Sequence, residues 1–94
     1  MPYNRADLES IHRFSGHHRE LLGRSDRAGC FYCRRTFDPG EITEWIDGPH
    51  MAGGETSDGV TALCPHCGID AVLPSAMPVP LTPELLAQMH SHWF

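Results

Sequence analysis

Leu8, Ile11, Phe14, His18 and the pair Leu21–Leu22 recur at near-helical spacing among polar positions, which predicts a helix from about Ala6 to Gly23. Gly23 is the expected terminator, and Gly16 is a weak point in the middle. The pattern then breaks at Arg24–Gly29 (RSDRAG), which reads as a polar linker. Asp38-Pro39-Gly40 is a turn signal. Glu41–Asp47 (EITEWID) and Val60–Leu63 (VTAL) have strand character and predict a hairpin, joined by a long glycine-rich loop at Gly48–Gly59. Gly68–Leu73 (GIDAVL) predicts the first turns of a short helix that Pro74 ends, followed by an extended connector at Pro74–Pro80. Thr82 is a good N-cap, Pro83 suits the first helical position and Glu84 complements the helix N-terminus. Leu85, Leu86, Met89 and Trp93 share a face, so a closing helix is predicted over Pro83–Trp93.

Length adds a constraint to this pattern. Ninety-four residues allow one domain, and 40% apolar with 20% charged residues is a folding composition. Nine Gly and eight Pro interrupt the chain so often that its small core is expected to need a covalent or metal staple. No apolar run reaches the length that crosses a bilayer, and Met1–Ser10 has no apolar signal core. The expected compartment is therefore the cytoplasm.

Charge is uneven. All seven basic residues are Arg and precede residue 36, where they accompany four carboxylates. Residues 37–94 carry eight carboxylates and neither Lys nor Arg. A basic footprint for nucleic acid is thus available only in the N-terminal segment, and the acidic remainder repels phosphate.

The staple is named by the cysteines. Cys30-x-x-Cys33 and Cys64-x-x-Cys67 use all four cysteines of the chain. A two-residue gap lets both sulfurs of a pair turn to one side of a tight knuckle, and two knuckles complete a tetrahedron around zinc. Disulfides are disfavoured in a reducing compartment, and a thioredoxin-type redox pair would leave the other two cysteines unexplained. One structural Zn²⁺ is expected, worth on the order of 10 kcal/mol at neutral pH, comparable to the whole stability of a small domain. Arg34 and Arg35, directly after the first pair, are the nearest cations to balance the thiolates.

The resulting fold class is α+β: a treble-clef-like four-cysteine zinc module with a short β-hairpin and packed N- and C-terminal helices. The treble clef follows from placing the second cysteine pair at the N-terminus of the helix over Gly68–Leu73. If Cys64–Gly68 is instead a second knuckle on a hairpin, the module is a zinc ribbon. The chain divides into an N-terminal helix and linker (1–28), the zinc module (29–73) and a C-terminal helix (81–94). Phe31, Tyr32 and Phe37 are expected to pack around the metal.

Catalytic chemistry is less well represented. Asp47-Gly48-Pro49-His50-Met51-Ala52-Gly53-Gly54, ahead of Cys64 and Cys67, resembles the HNH, or ββα-metal, endonucleases. That resemblance implies a metal-dependent nuclease with His50, Asp47 and Asp58 as candidate site residues. Gly48, however, stands where the catalytic His would follow Asp47, and the chain's one Asn is Asn4. His12, His17 and His18 are assigned surface or helix-packing roles because His12 makes no i,i+4 pair with either of the others. His66 is expected to point away from zinc, and His90 and His92 to be exposed.

The segments Gly29–Cys33 (GCFYC), Ile42–Asp47 (ITEWID) and Thr61–Val72 (TALCPHCGIDAV), with Met89…Trp93-Phe94, resemble a family of small bacterial proteins described only as cytoplasmic proteins. The resemblance implies a bacterial cytosolic zinc protein without an assigned activity, from which this chain departs by a longer loop at Gly48–Gly59. The functional expectation is a non-catalytic zinc module that engages a macromolecule, protein rather than nucleic acid and no membrane. Binding of nucleic acid through the Arg-rich N-terminal segment is the further alternative. Trp45, Trp93 and Phe94 are the contact residues if exposed; core filling is the commoner fate of such side chains.

Overall fold

The computed structural model describes residues 3–46 and 59–94. Asn4 opens the first helix, α1 (Arg5–His12), by a reciprocal cap: its side chain accepts from the Asp7 N–H at 2.8 Å, and the Asp7 carboxylate accepts from the Asn4 N–H at 3.3 Å. Leu8 and Ile11 face the core. The helix predicted to run to Gly23 breaks here. Arg13–Ser15 tighten into a 3₁₀ turn, Gly16 is extended, and His17 takes a left-handed φ of 49°. A separate short helix, α2 (Arg19–Gly23), follows, with Leu22 buried. The break is fixed by tertiary bonds that a continuous helix would not allow. The His17 N–H donates to Thr61 Oγ1 at 2.8 Å, and the His18 and Arg19 N–H groups both donate to the Val60 carbonyl.

The segment read as a linker ends in the central strand. β1 (Ala28–Cys30) lies between β2 (Thr36–Phe37) and β5 (Val72–Pro74), both antiparallel to it, with Ala28 opposite Phe37 and Pro74. A second ribbon pairs β3 (Trp45–Ile46) with β4 (Thr61–Ala62), Trp45 opposite Ala62 and Ile46 opposite Thr61. This is the predicted hairpin pairing over a shorter length, because residues 39–41 turn in a 3₁₀ helix capped by Asp38.

Residues 68–73 do not form the predicted helix. Gly68 takes φ +78° and the Cys64 N–H donates to the Ile69 carbonyl at 3.0 Å, which turns the chain back. Val72 and Leu73, both fully buried, then extend along β1 as β5. Apolar residues on both faces suit a strand covered on two sides, and periodicity alone does not separate that from a short buried helix. The second knuckle is not on a hairpin either, as the zinc-ribbon alternative requires: β4 pairs only with β3 and β5 only with β1, so the knuckle joins the two sheets.

α3 (Pro83–Trp93) has the predicted bounds, and Thr82 Oγ1 accepts from the Leu85 N–H at 3.1 Å. Leu85, Leu86 and Met89 are buried against the sheet. Gly29 makes that approach possible: a Cβ there would stand 3.1 Å from a Leu86 methyl. α1 packs on α3, where the Tyr3 N–H donates to Gln88 Oε1 at 3.2 Å. No helix among the described residues is long and apolar enough to cross a membrane.

Candidate metal centre

Each cysteine pair sits in a knuckle of the same construction. In the first, the Cys30 N–H donates to the Arg35 carbonyl at 2.9 Å; in the second, the Cys64 N–H donates to the Ile69 carbonyl at 3.0 Å. Both bonds span five residues. The residue after each second cysteine is left-handed, Arg34 at φ 64° and Gly68 at φ 78°. Glycine adopts that conformation freely, whereas arginine holds it only because the knuckle requires it. In each knuckle an N–H two residues past the first sulfur points back at it: Tyr32 to Cys30 Sγ at 3.4 Å, and His66 to Cys64 Sγ at 3.3 Å.

β1 delivers Cys30 at its end, and β4 and β5 flank the second knuckle, so the two pairs face each other. The four sulfurs lie within 4.8 Å of one another. The short contacts cross between knuckles, Cys30 to Cys67 at 3.6 Å and Cys33 to Cys64 at 3.7 Å. These separations are far beyond the ~2.05 Å of a disulfide. They fit the edge of a tetrahedron of about 3.8 Å, which follows from four arms of ~2.3 Å. Cys30 and Cys64 are buried; Cys33 and Cys67 are half-buried.

Electrostatics point the same way. Burial pushes the Cys30 and Cys64 thiols up from their ordinary value. Burial acts likewise on Cys33, but the Arg35 N–H and the neighbouring sulfurs outweigh it and bring that thiol down. Four sulfurs this close repel one another as thiolates unless a cation stands between them, and a coordinated divalent ion deprotonates them outright. The donor set therefore fits a soft, tetrahedral ion.

The expected cation balance takes a different form. Sulfur contacts come from backbone N–H groups, while Arg35 donates to His66 Nδ1 at 3.4 Å and His66 Nε2 lies 3.8 Å from Glu41. Without a helix after Cys67, no helix dipole serves the second pair. The His66 ring also lies 5.7 Å from the Phe37 ring, and it is not among the converging ligand side chains.

The remaining candidates separate. Asp47, His50 and Asp58 lie outside the described residues. Among the described residues, no other group of three or more metal-ligating side chains converges. Phe31 and Phe37 are buried beside the centre, but Tyr32 is 43% exposed. Trp45 is half-buried beneath the Arg19 guanidinium, 4.5 Å above its ring. Trp93 and Phe94 are 39% and 58% exposed. His90 and His92, expected to be exposed, are half-buried: His90 Nδ1 meets the Phe31 carbonyl at 3.1 Å and His92 Nε2 lies 3.5 Å from Glu9.

One residue assigned to the surface or to helix packing is a core link. His18 is 1% exposed; its Nδ1 meets the Phe14 carbonyl at 2.6 Å, and its Nε2 accepts from the Ala62 N–H at 3.0 Å. Its place in the apolar series 8, 11, 14, 18 was the available signal.

Comparison of the chain with protein-family models, with curated proteins and with solved structures finds no match.

Proposed function

We propose that Cys30, Cys33, Cys64 and Cys67 bind one structural Zn²⁺, and that the α+β module so formed is a non-catalytic interaction unit for a protein partner. The observation that carries the first part is the convergence of all four sulfurs within 4.8 Å, with the two contacts between knuckles at tetrahedral-edge spacing. The ion's contribution is cohesive: it ties the β1 end to the segment between β4 and β5. The resemblance to bacterial cytoplasmic proteins through the CFYC and CPHCGIDAV motifs supports the same reading.

The partner surface is the aromatic edge beside the first knuckle. Tyr32 and Phe94 meet edge-on at 4.8 Å, and Trp93 adjoins them in sequence on α3. Exposed aromatic clusters of this kind are enriched at protein interfaces. A protein partner is favoured over nucleic acid because residues 37–94 bear only acidic charge.

The test is a Tyr32→Ser/Phe94→Ser double variant with unchanged zinc content and melting temperature. Cross-linking in cells should then lose the partner seen with wild type. Retention of the same cross-linked partner by the variant would remove this surface. Retention of DNA or RNA that weakens steeply with salt would replace the protein partner by nucleic acid.

A further inference from the structure

A cavity of about 470 Å³ opens beside this edge, where the break after α1, the chain following the second knuckle and the end of α3 meet. The size lies in the range of about 300–1,000 Å³ typical of small-molecule sites. Its lining is chemically sorted. His12, Arg13 and His17 come from the N-terminal segment, Trp93 and Phe94 from the end of α3, and Asp70 from the chain after Cys67.

The aromatic part is a built shelf. The His12 ring lies 4.2 Å from the Trp93 ring and 6.0 Å from Phe31, while Trp93 keeps two-fifths of its surface accessible. The polar part consists of exposed side chains open to a ligand. Among the described residues, the Asp70 carboxylate and the His17 ring have no hydrogen-bond or ion-pair partner, and the Arg13 guanidinium has only the face of Phe14, at 5.5 Å. The His17 backbone is also held in the left-handed region by the bonds from its own N–H to Thr61 and from the His18 N–H to Val60. Backbone strain enforced by its surroundings clusters at ligand sites, as well as in structural turns such as the one at Arg34.

We propose that this cavity binds a small ligand in which a planar heteroaromatic ring carries an anionic group, the chemistry of a free mononucleotide. The ring would stack on Trp93, Arg13 and His17 would take the anionic group, and Asp70 would accept from an amino group on the ring. A polyanion fits less well, because the eight carboxylates of residues 37–94 repel it. This inference goes beyond the proposed interaction role and leaves the metal centre untouched.

Trp93 supplies the readout. In a Trp45→Phe variant it is the sole indole, and stacking of a base quenches its fluorescence. Titration of this zinc-loaded variant with adenosine 5′-monophosphate should give saturable quenching with a Kd of about 1 mM or tighter. Adenosine and inorganic phosphate, each half of the ligand, should bind at least about tenfold more weakly. Adding Arg13→Gln should weaken binding about tenfold, the scale of one charge-assisted hydrogen bond. Adding His17→Gly should keep or raise the melting temperature while weakening binding, because glycine relieves the backbone and removes the ring.

Absence of saturable quenching up to about 10 mM would overturn the proposal, since that affinity is too weak to mark a built site. Binding that is unchanged in both Arg13→Gln and His17→Gly would do the same. A single-stranded oligoadenylate binding more than about tenfold tighter than the mononucleotide would overturn the small-ligand assignment in favour of nucleic acid. None of these outcomes alters the expected zinc content, so failure here is distinct from failure of the metal centre.

Discussion

His18 joins two parts of the molecule that share no strand. It stands just before α2, yet its imidazole bridges the Phe14 carbonyl and the Ala62 N–H in β4 while almost fully buried. Those two contacts require the neutral ring with its proton on Nδ1: Nδ1–H donates to Phe14, and Nε2 accepts from Ala62. Replacing His18 by Leu keeps apolar bulk but strands the buried Ala62 N–H and removes the donor from the part-buried Phe14 carbonyl. At about 1–3 kcal/mol for the buried group and up to about 1 kcal/mol for the carbonyl, the expected loss is about 1–4 kcal/mol. That is a large share of the ~5–15 kcal/mol available to a small domain. His18→Gln, whose amide offers one donor and one acceptor, should recover part of it. The assay is urea unfolding of zinc-loaded protein followed by tryptophan fluorescence at pH 8.

The same imidazole predicts a pH dependence. Burial lowers its pKa from 6.5, outweighing the raising effect of the Phe14 hydrogen bond, and His17 lowers it further. The unfolded state therefore takes up a proton that the folded state resists. The stabilisation is complete above about pH 6.5 and is lost as pH falls toward the lowered folded value, by at most about 1.4 kcal/mol per pH unit. Thiolate protonation also weakens the metal centre in acid, but it does so equally in His18→Gln. The advantage of wild type over His18→Gln should thus shrink between pH 7 and pH 5. A His18→Leu variant within about 0.5 kcal/mol of wild type would refute the bridging role, since that is the scatter of a surface substitution. An advantage independent of pH would refute the protonation argument.

Two further substitutions check the packing. Gly59→Ala would place a Cβ 2.4 Å from the Trp45 carbonyl carbon and 2.5 Å from the Ile46 nitrogen, both backbone. The ribbon must shift to admit it, so a loss of about 1–3 kcal/mol is expected in urea unfolding; a neutral variant would contradict the close approach of residue 59 to β3. Thr82→Ala removes the hydroxyl that caps the Leu85 N–H and should cost about 1 kcal/mol, with Thr82→Ser largely retaining stability.

Legibility followed the range of the interactions. α3 was readable to its last residue because its cap, its opening Pro and its apolar face all lie within the segment. The knuckles were readable because two C-x-x-C pairs constrain chemistry more tightly than fold. α1 was readable only to His12: the bonds that break it come from Val60 and Thr61, over forty residues away, and spacing carries no trace of them. β1 was hidden for a related reason. Ala28 and Gly29 have weak strand character of their own, and their place is set by β2 and β5 on either side and by α3 above. The predicted helix after Cys67 failed because Ile69–Leu73 is apolar enough for either element, and the vacant edge of β1 decided it. Among the histidines, position 18 announced its burial through spacing, but its two partners belong to the tertiary fold.

The proposed zinc ion held by four sulfurs underlies both the fold's cohesion and its proposed role. Zinc K-edge X-ray absorption on the protein as purified, with total metal measured on the same sample, tests it most directly. The expected result is one zinc per chain with four sulfur neighbours at about 2.3 Å and no nitrogen or oxygen in the shell. Folded protein in which Cys30, Cys33, Cys64 and Cys67 are free of metal, or a zinc shell containing imidazole or carboxylate, would contradict it.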